Sequence, residues 1–437
     1  MDLSSNKRSS DIVTVQSEEI EAALKHILPK PYTDVLVQNF LENANFQYYA
    51  IFPEQLRDQN AEWWKERAAG RRLSPELTCL LIRVCAVSAQ YLETSLKQRL
   101  EIELGERAQS MTERFHAAAQ RLSSSIPRGA GGVIQVQQLF LEASWWKSEA
   151  NMVEAWHSLS MAIREAQEID DQKLELPDGQ LENIRDPEMP HPLSSIALQA
   201  SLGLHVFHLF QKLGTDCSAQ LVLEIEAALE KWMGSFPPAL RDHCPDTRWD
   251  EKYPNVPFMR FQINIIAYTY LLAPLKPYLL GKADPKVIRT PLGSQFRAKG
   301  VDTCLDLMKA GEGFYDLAFP QDIKYFFIIF FMFDAATVMC SAIVHDTHHS
   351  LPKRNQCIRA LRTAQELMDG VAHISESARI SAQLLRKLAA TLPLTQAEKE
   401  ILTPSQAPSI SASSSSSVSS SSKKWTSRIA LIIGADR

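Results

Sequence analysis

A cluster of imidazole and carboxylate groups follows the most apolar stretch of the chain. His345, Asp346, His348 and His349 lie close together in sequence, and imidazole nitrogens and carboxylate oxygens are common metal ligands. The alternative is a solvated helix C-terminus, where protonated imidazoles favour the negative end of the helix dipole. We predict the helix terminus and no metal site, because no second ligand motif elsewhere completes one. His345, His348 and His349 are the weak candidates for a metal site.

A single carboxylate interrupts that apolar stretch. Asp334 lies in the run YFFIIFFMFDAAT, and a buried carboxylate needs a partner or a raised pKa. One interpretation is contact with a ligand amine or with a nearby Lys or Arg. The other, which we favour, is a structural pairing with a backbone or Tyr donor in the core.

Catalytic motifs do not accompany these groups. The sequence contains no G-x-S-x-G nucleophile elbow and no H-E-x-x-H motif. Its seven cysteines include no C-x2-C pair, which disfavours zinc-finger and thioredoxin-type sites. We therefore predict a protein that is not an enzyme, with no catalytic residues and no cofactor-binding residues.

The composition predicts helices. Only 16 of the 437 residues are glycine, about half the usual ~7%, which disfavours turn-rich β folds. Apolar residues recur at helical spacing, and Ser74 followed by Pro75 is typical of a helix start. A second helix, over 106–122, looks polar enough to be largely exposed. The net charge of −5 gives no basic field that would mark the whole chain as a nucleic-acid binder.

These patterns predict an all-α fold, a large multi-helix domain of antiparallel helical hairpins. Residues 1–29 form a polar, mostly disordered N-terminal segment with a short amphipathic stretch. Residues 30–403 form the helical domain. Residues 404–437 form a Ser-rich tail that cannot bury enough apolar surface to fold. The apolar run 325–344 is long enough to cross a bilayer, but Asp334 at its middle would cost ~3 kcal/mol there, so we predict a buried helix and no membrane.

Two adjacent helices carry the most specific pattern, VIQVQQLFLEASWWKSEANMVEAWHSLSMAIREAQEI. Their connection is only about three residues, so they should pack as an antiparallel hairpin. Asn151 and Glu154 have the spacing of a capping box. The side chains expected to fill the interior are Trp145, Trp146, Trp156, Leu159 and Ile163.

This hairpin resembles the central signature of the fungal-specific transcription factor domain, the middle homology region of fungal zinc-cluster regulators. The second helix of that family reads roughly A-W-x-x-x-x-x-A-I-R-x-A-Q. The matching residues here are Ala155, Trp156, Ala162, Ile163, Arg164, Ala166 and Gln167. Weaker similarities over 35–53, 236–280 and 325–344 follow in family order.

The resemblance implies a regulatory domain in the nucleus that controls transcription of target genes. Co-regulator proteins, a second copy of the chain or a small-molecule inducer would be its partners. DNA would be contacted through a zinc-cluster module preceding the domain, and this chain has no cysteine before Cys79, so we expect no zinc bound to it. The alternative is a helical scaffold or ligand-sensing interaction protein without DNA binding.

The chain departs from the family pattern directly after the signature helix. Between about 168 and 171 it passes almost at once into an acidic linker that in the family lies after a further helical segment. We interpret this as an internal deletion from the helical core. It predicts an uncovered apolar surface beside the hairpin and lower solubility than a form with the segment restored.

Overall fold

The computed structural model describes residues 18–129, 131–169, 190–213, 218–318, 326–373 and 376–403. Every regular element in these ranges is a helix, which confirms the predicted all-α class. The Ser-rich tail, residues 1–17 and the residues just after the signature helix lie outside the described ranges. The amphipathic stretch near the N-terminus is a short helix whose Ile20 and Ala23 join the core.

Two 3-10 turns, Asn45–Gln47 and Pro238–Leu240, accompany the α-helices. The α-helices are α1 (18–24), α2 (Lys30–Asn43), α3 (Pro53–Ala68), α4 (Pro75–Gln90), α5 (Thr94–Leu104), α6 (Ala108–Ser125), α7 (Gly132–Ser148), α8 (Met152–Glu168), α9 (Pro192–Leu213), α10 (Ala219–Gly234), α11 (Asn255–Leu279), α12 (Pro285–Ile288), α13 (Pro291–Ala318), α14 (Phe326–Val344), α15 (Arg354–Gly370), α16 (Glu376–Ala390) and α17 (Gln396–Leu402).

Helix α4 is the centre of the N-terminal part of the core. Its predicted start is confirmed, because the Ser74 hydroxyl accepts a hydrogen bond from the Leu77 N–H at 3.1 Å and Pro75 is the first helical residue. Every residue from Thr78 to Gln90 is buried, since α2, α6 and α7 pack around α4. Burying one leucine contributes about 1.5–3 kcal/mol, so α4 is a main source of stability.

Helix α6 corrects a prediction. Its polarity predicts a largely exposed helix, but Met111, Phe115 and Leu122 are buried and the helix packs on α4. These three residues share one helical face, and Ala118 and Ala119 lie beside them with almost no exposed surface. Most polar residues of α6 occupy the opposite face, although Thr112 and His116 are buried, so its overall polarity concealed a mainly apolar side.

The C-terminal part is organised by two long helices, α11 and α13, that pack along each other. Glycines allow this close approach. A Cβ atom at Gly313 would lie 2.6 Å from Cε1 of Phe261, and one at Gly300 would lie 3.0 Å from Cδ1 of Leu279. Helix α14 then packs against α13, α15 and α16, and a separate apolar cluster joins α9, α10 and α11.

Helix α14 contains the apolar run for which the sequence predicts burial. By length and composition, Leu193–Leu213 and Phe327–Val344 could each span a membrane, and the bent pair α4–α5 could add a third span. In α14, 61% of the most apolar 18-residue segment is buried inside the protein, compared with 22% of the corresponding segment in α9. Phe330 and Val344 are exposed, so α14 is largely buried rather than enclosed on all sides.

Candidate functional site

The α7–α8 hairpin, which carries the signature residues, turns through a tight three-residue connection. The Ala150 N–H donates to the Lys147 carbonyl at 3.0 Å, and the Asn151 N–H donates to the Trp146 carbonyl at 2.9 Å. This pattern is a Schellman motif, and it places Ala150 at φ +60°. Asn151 makes no side-chain capping hydrogen bond, so the predicted capping box is wrong and backbone bonds close the turn instead.

The first helix of the hairpin contributes a buried aromatic centre, as predicted for Trp145. The Trp145 indole N–H donates to Thr112 Oγ1 at 2.8 Å. Its ring stacks on His116 with centroids 3.6 Å apart, and Trp146 meets both rings edge-on. Helix α7 is thereby fixed to α6.

The second helix exposes the face that the sequence predicts to be interior. Trp156 is 70% exposed and Ile163 is 51% exposed, so their assignment to the core is wrong. Helix α8 instead buries Ser158, Ala162 and Glu165, which lie on one helical face and pack towards α7. Small side chains at this contact let the two helices approach closely, which leaves the bulky residues on the outer face.

The other signature residues divide between the two faces. Ala162 is buried, as a close helix contact requires, whereas Arg164, Ala166 and Gln167 are exposed. Glu165 interrupts the signature, and its carboxylate accepts a hydrogen bond from the Gly129 N–H at 3.0 Å. This bond ties the loop before α7 to the end of α8. We call the exposed surface around Val153, Trp156 and Ile163 the α8 face.

A buried ion pair, which the sequence analysis did not identify, lies beneath the hairpin. Arg83 of α4 is fully buried, and its Nη2 lies 2.8 Å from Oε2 of Glu142 on α7. Its Nη1 lies 2.9 Å from Nδ1 of His116 on α6, so that ring nitrogen acts as the acceptor. The signal in the sequence was an arginine within the apolar run of α4.

Burial fixes the protonation states of His116 and Cys79 in this cluster. Burial, together with the positive charge of Arg83, lowers the pKa of His116 to about 3, so the imidazole is neutral at physiological pH. Burial also raises the pKa of the nearby Cys79 thiol to about 12, so the thiolate nucleophile is absent there. The cluster joins α4, α6 and α7 and offers no activated nucleophile.

Asp334 has a cationic partner. Its carboxylate accepts a hydrogen bond from Lys276 Nζ at 2.7 Å, and the pair links α14 to α11. Neither the backbone donor nor the Tyr donor that we favoured is its partner. Asp334 and Lys276 are only partly buried, and their pairing accounts for the carboxylate without a ligand.

The histidines after α14 are not assembled into a metal site. Within the described ranges, no group of three His, Cys, Asp or Glu side chains is placed to hold a metal ion. Asp346, the carboxylate among them, accepts hydrogen bonds from the N–H groups of Ser350 and Leu351 and pairs with Arg297 and Arg354. Burial acts to raise the pKa of Asp346, but the hydrogen bonds from Leu351, Arg297 and Ser350 outweigh it and hold that pKa well below its usual range.

A small cleft lies between α2, α4 and α7. It has room for about one water molecule, which is far less than a small-molecule inducer needs. The residues around it include Phe40, Tyr48, Val87, Tyr91, Phe140 and Ser144.

Comparison with known proteins gives one partial similarity. The chain is 26% identical over 155 residues to the probable transcription factor sol4 of Alternaria solani. The aligned region is 35% of this chain and 27% of that protein, so the chain spans about a quarter of the curated relative that it matches. No family model matches the chain. No solved structure matches it significantly.

Proposed function

We propose that the chain is a regulatory domain of a fungal transcription factor, acts in the nucleus and is not an enzyme. The observation that carries this proposal is the similarity over 155 residues to a protein named as a probable transcription factor. The helical architecture and the signature residues of the hairpin support it. DNA would be contacted by a zinc cluster encoded outside residues 1–437, because a binuclear cluster needs six closely spaced cysteines.

The α8 face gives such a domain a means of action. Regulation by a helical domain requires contact with another molecule, and exposed Trp and Ile are residues that anchor protein interfaces. Trp156 and Ile163 are both more than half exposed on a helix that packs mainly on α7. We assign this face to contact with a transcription co-regulator protein rather than with an inducer.

The second candidate is a helical scaffold that acts without binding DNA. The cysteine pattern favours it, because Cys79, Cys85, Cys304, Cys340 and Cys357 are free and buried and Cys244 is free and exposed. None of them forms a closely spaced pair in sequence. The two candidates differ in whether the chain changes transcription when it is placed at a promoter.

The test joins residues 1–437 to a heterologous DNA-binding domain and measures a reporter gene in fungal cells. We expect the fusion to change reporter output several-fold relative to the DNA-binding domain alone. The double variant Trp156→Ala/Ile163→Ala should abolish the change. The control, Ile102→Ala, alters another strongly exposed residue and should leave it intact.

Immunoblots confirm equal amounts of each fusion. A fusion that leaves reporter output unchanged would contradict the regulatory function and favour the scaffold. A fusion that changes output equally with and without Trp156 and Ile163 would support the function and contradict only the role of the α8 face.

A further inference from the structure

Helix α9 carries an exposed apolar face on the side opposite its contact with the core. Leu204 is 83% exposed and Phe207 is 64% exposed. Exposed residues of small or apolar type recur along α9 at alternating spacings of four and three. This spacing is typical of the side of a helix that packs against another helix. The members of this α9 face are Leu193, Ala197, Ala200, Leu204 and Phe207.

The opposite side of α9 is anchored in the protein. Leu202, Val206 and Leu209 are buried in the cluster with α10 and α11. The indole N–H of Trp232 on α10 also bonds to the Leu198 carbonyl at 3.0 Å and to Ser201 Oγ at 3.1 Å. Because these contacts form part of the core, the α9 face is a fixed surface of the fold. A bilayer-spanning position would remove α9 from that core.

Gly203 lies inside α9, where glycine costs helix stability relative to alanine. A Cβ atom at this position would meet nothing within 4 Å, so no described neighbour requires the glycine. Close approach of a second backbone would require it.

We propose that the α9 face pairs with the α9 face of a second copy of this chain, antiparallel, about a two-fold axis at Ala200. This inference does not rest on the proposed function. In this register Leu193 faces Phe207. Two residues at the edge of the α9 face also take part: the half-buried Ile196 faces Leu204, and the exposed Gly203 faces Ala197. Small residues therefore meet at the axis and large apolar residues meet at both ends, which is the self-complementarity that a two-fold interface demands.

The charges on α9 do not oppose its pairing with α9 of a second copy of the chain. The helix contains no Asp or Glu, and Lys212 is its one Lys or Arg. At 1.5 Å per residue, the two Lys212 residues of the pair would lie about 36 Å apart. Like charges therefore do not oppose each other across the axis.

The size of the face sets the strength of the pairing. A helix of 22 residues is about 33 Å long, and Tyr270 of α11 extends the surface beside Phe210, with ring centroids 5.3 Å apart. One helix pair lies at the small end of specific interfaces. We therefore expect a weak, concentration-dependent dimer.

Sedimentation of the full chain from about 1 to 200 μM tests the pairing. We expect reversible self-association that the variant Leu204→Glu/Phe207→Glu weakens by at least about 10-fold. The variant should melt at the wild-type temperature, because both side chains are exposed. The control Ile102→Glu, at a residue that is 82% exposed on α5, should associate like the wild type.

Cross-linking tests the register, in a background with Cys217 and Cys244 changed to Ser. The Ala200→Cys variant should be cross-linked by a short bismaleimide to the same position of the second copy. Gln211→Cys should not, because the two positions would lie about 33 Å apart. Equal cross-linking of both variants would overturn the antiparallel register.

Three further outcomes would overturn the proposal. The first is a wild-type chain that stays monomeric over the whole range. The second is a dimer that Leu204→Glu/Phe207→Glu leaves intact. The third is binding to phosphatidylcholine–phosphatidylserine vesicles that this double variant abolishes, which would make a membrane the occupant of the face.

Discussion

Arg83 shows how one charge can be held inside α4, a helix in which every residue from Thr78 to Gln90 is buried. Its guanidinium is matched by the Glu142 carboxylate at 2.8 Å and by His116. Even so, Arg83 Nε and His116 Nε2 are buried without a hydrogen-bond partner among the described residues. Buried polar atoms without partners cost free energy of folding, so the stability of this cluster is sensitive to any change in its charges.

Glu142→Gln should therefore destabilise the protein strongly. The substitution keeps the size of the side chain and leaves the Arg83 charge buried without its counter-ion, which costs about 3–5 kcal/mol. Urea unfolding followed by circular dichroism measures the change. Glu62→Gln is the control, because the Glu62–Lys65 pair is exposed and exposed ion pairs contribute little to stability. Equal midpoints for the two variants would contradict the role of the cluster.

His116 makes stability depend on pH. Its pKa is about 3 in the folded chain, whereas the ordinary value for a solvated histidine is 6.5, so between these values the unfolded chain binds a proton that the folded chain does not. Stability is therefore lost as the pH falls from about 7 towards 3, by at most about 1.4 kcal/mol per pH unit.

The variant His116→Gln retains an acceptor for Arg83 and cannot titrate. Between pH 7 and 4.5, its unfolding free energy should fall less steeply than that of the wild type. His157→Gln replaces a histidine on the exposed side of α8 and is the control. Other acid-sensitive groups, such as Asp346, are common to all three proteins. Parallel slopes for wild type and His116→Gln would refute the assignment.

At the scale of elements, the hairpin separates a buried tryptophan from an exposed one. Trp145 is buried and hydrogen-bonded to Thr112, whereas Trp156 is 70% exposed. Trp145→Ala should cost about 3–5 kcal/mol, and Trp156→Ala less than about 1 kcal/mol. Thermal melts of the two variants compare them directly. Similar losses would mean that α8 packs with its other face inward.

Local signals in the sequence predicted where helices form. They did not predict which helices pack together or which face of a helix is buried. The start of α4 depends on Ser74 and Pro75 alone, so it was predictable. The faces of α6 and α8 depend on which helix lies beside them. In α8 the bulky apolar side chains and the buried Ser158, Ala162 and Glu165 lie on different faces, and the contact with α7 decides which face is buried. The partners of Arg83 and Asp334 come from distant helices, so sequence spacing could not identify them.

At the scale of the whole molecule, apolar surfaces lie on both helices next to residues 170–189. The α8 face precedes this stretch and the α9 face follows it. The α8 face, with Val153, Trp156 and Ile163, belongs to the hairpin itself, and two of these three side chains were expected in its interior. That a lost segment would cover it, and would raise solubility, stays a prediction.

The purified chain should bind neither zinc nor DNA sequence-specifically. The net charge is −5, which opposes binding to the phosphate backbone, and within the described ranges no three His, Cys, Asp or Glu side chains are grouped for a metal. Elemental analysis should find no stoichiometric zinc, and mobility shifts at physiological salt should find no specific complex. Two zinc ions per chain, or a salt dependence that implies about six or more phosphate contacts, would contradict this prediction.

The central claim is that this domain regulates transcription in a protein whose DNA contacts are made by a zinc cluster. Sequencing the full-length transcript from its 5′ end tests it most directly. We predict an open reading frame that continues in frame upstream of Met1 and encodes six closely spaced cysteines among basic residues. An in-frame stop codon upstream of Met1, with no cysteine cluster encoded between that codon and Met1, would contradict the claim. It would favour a helical scaffold that does not bind DNA.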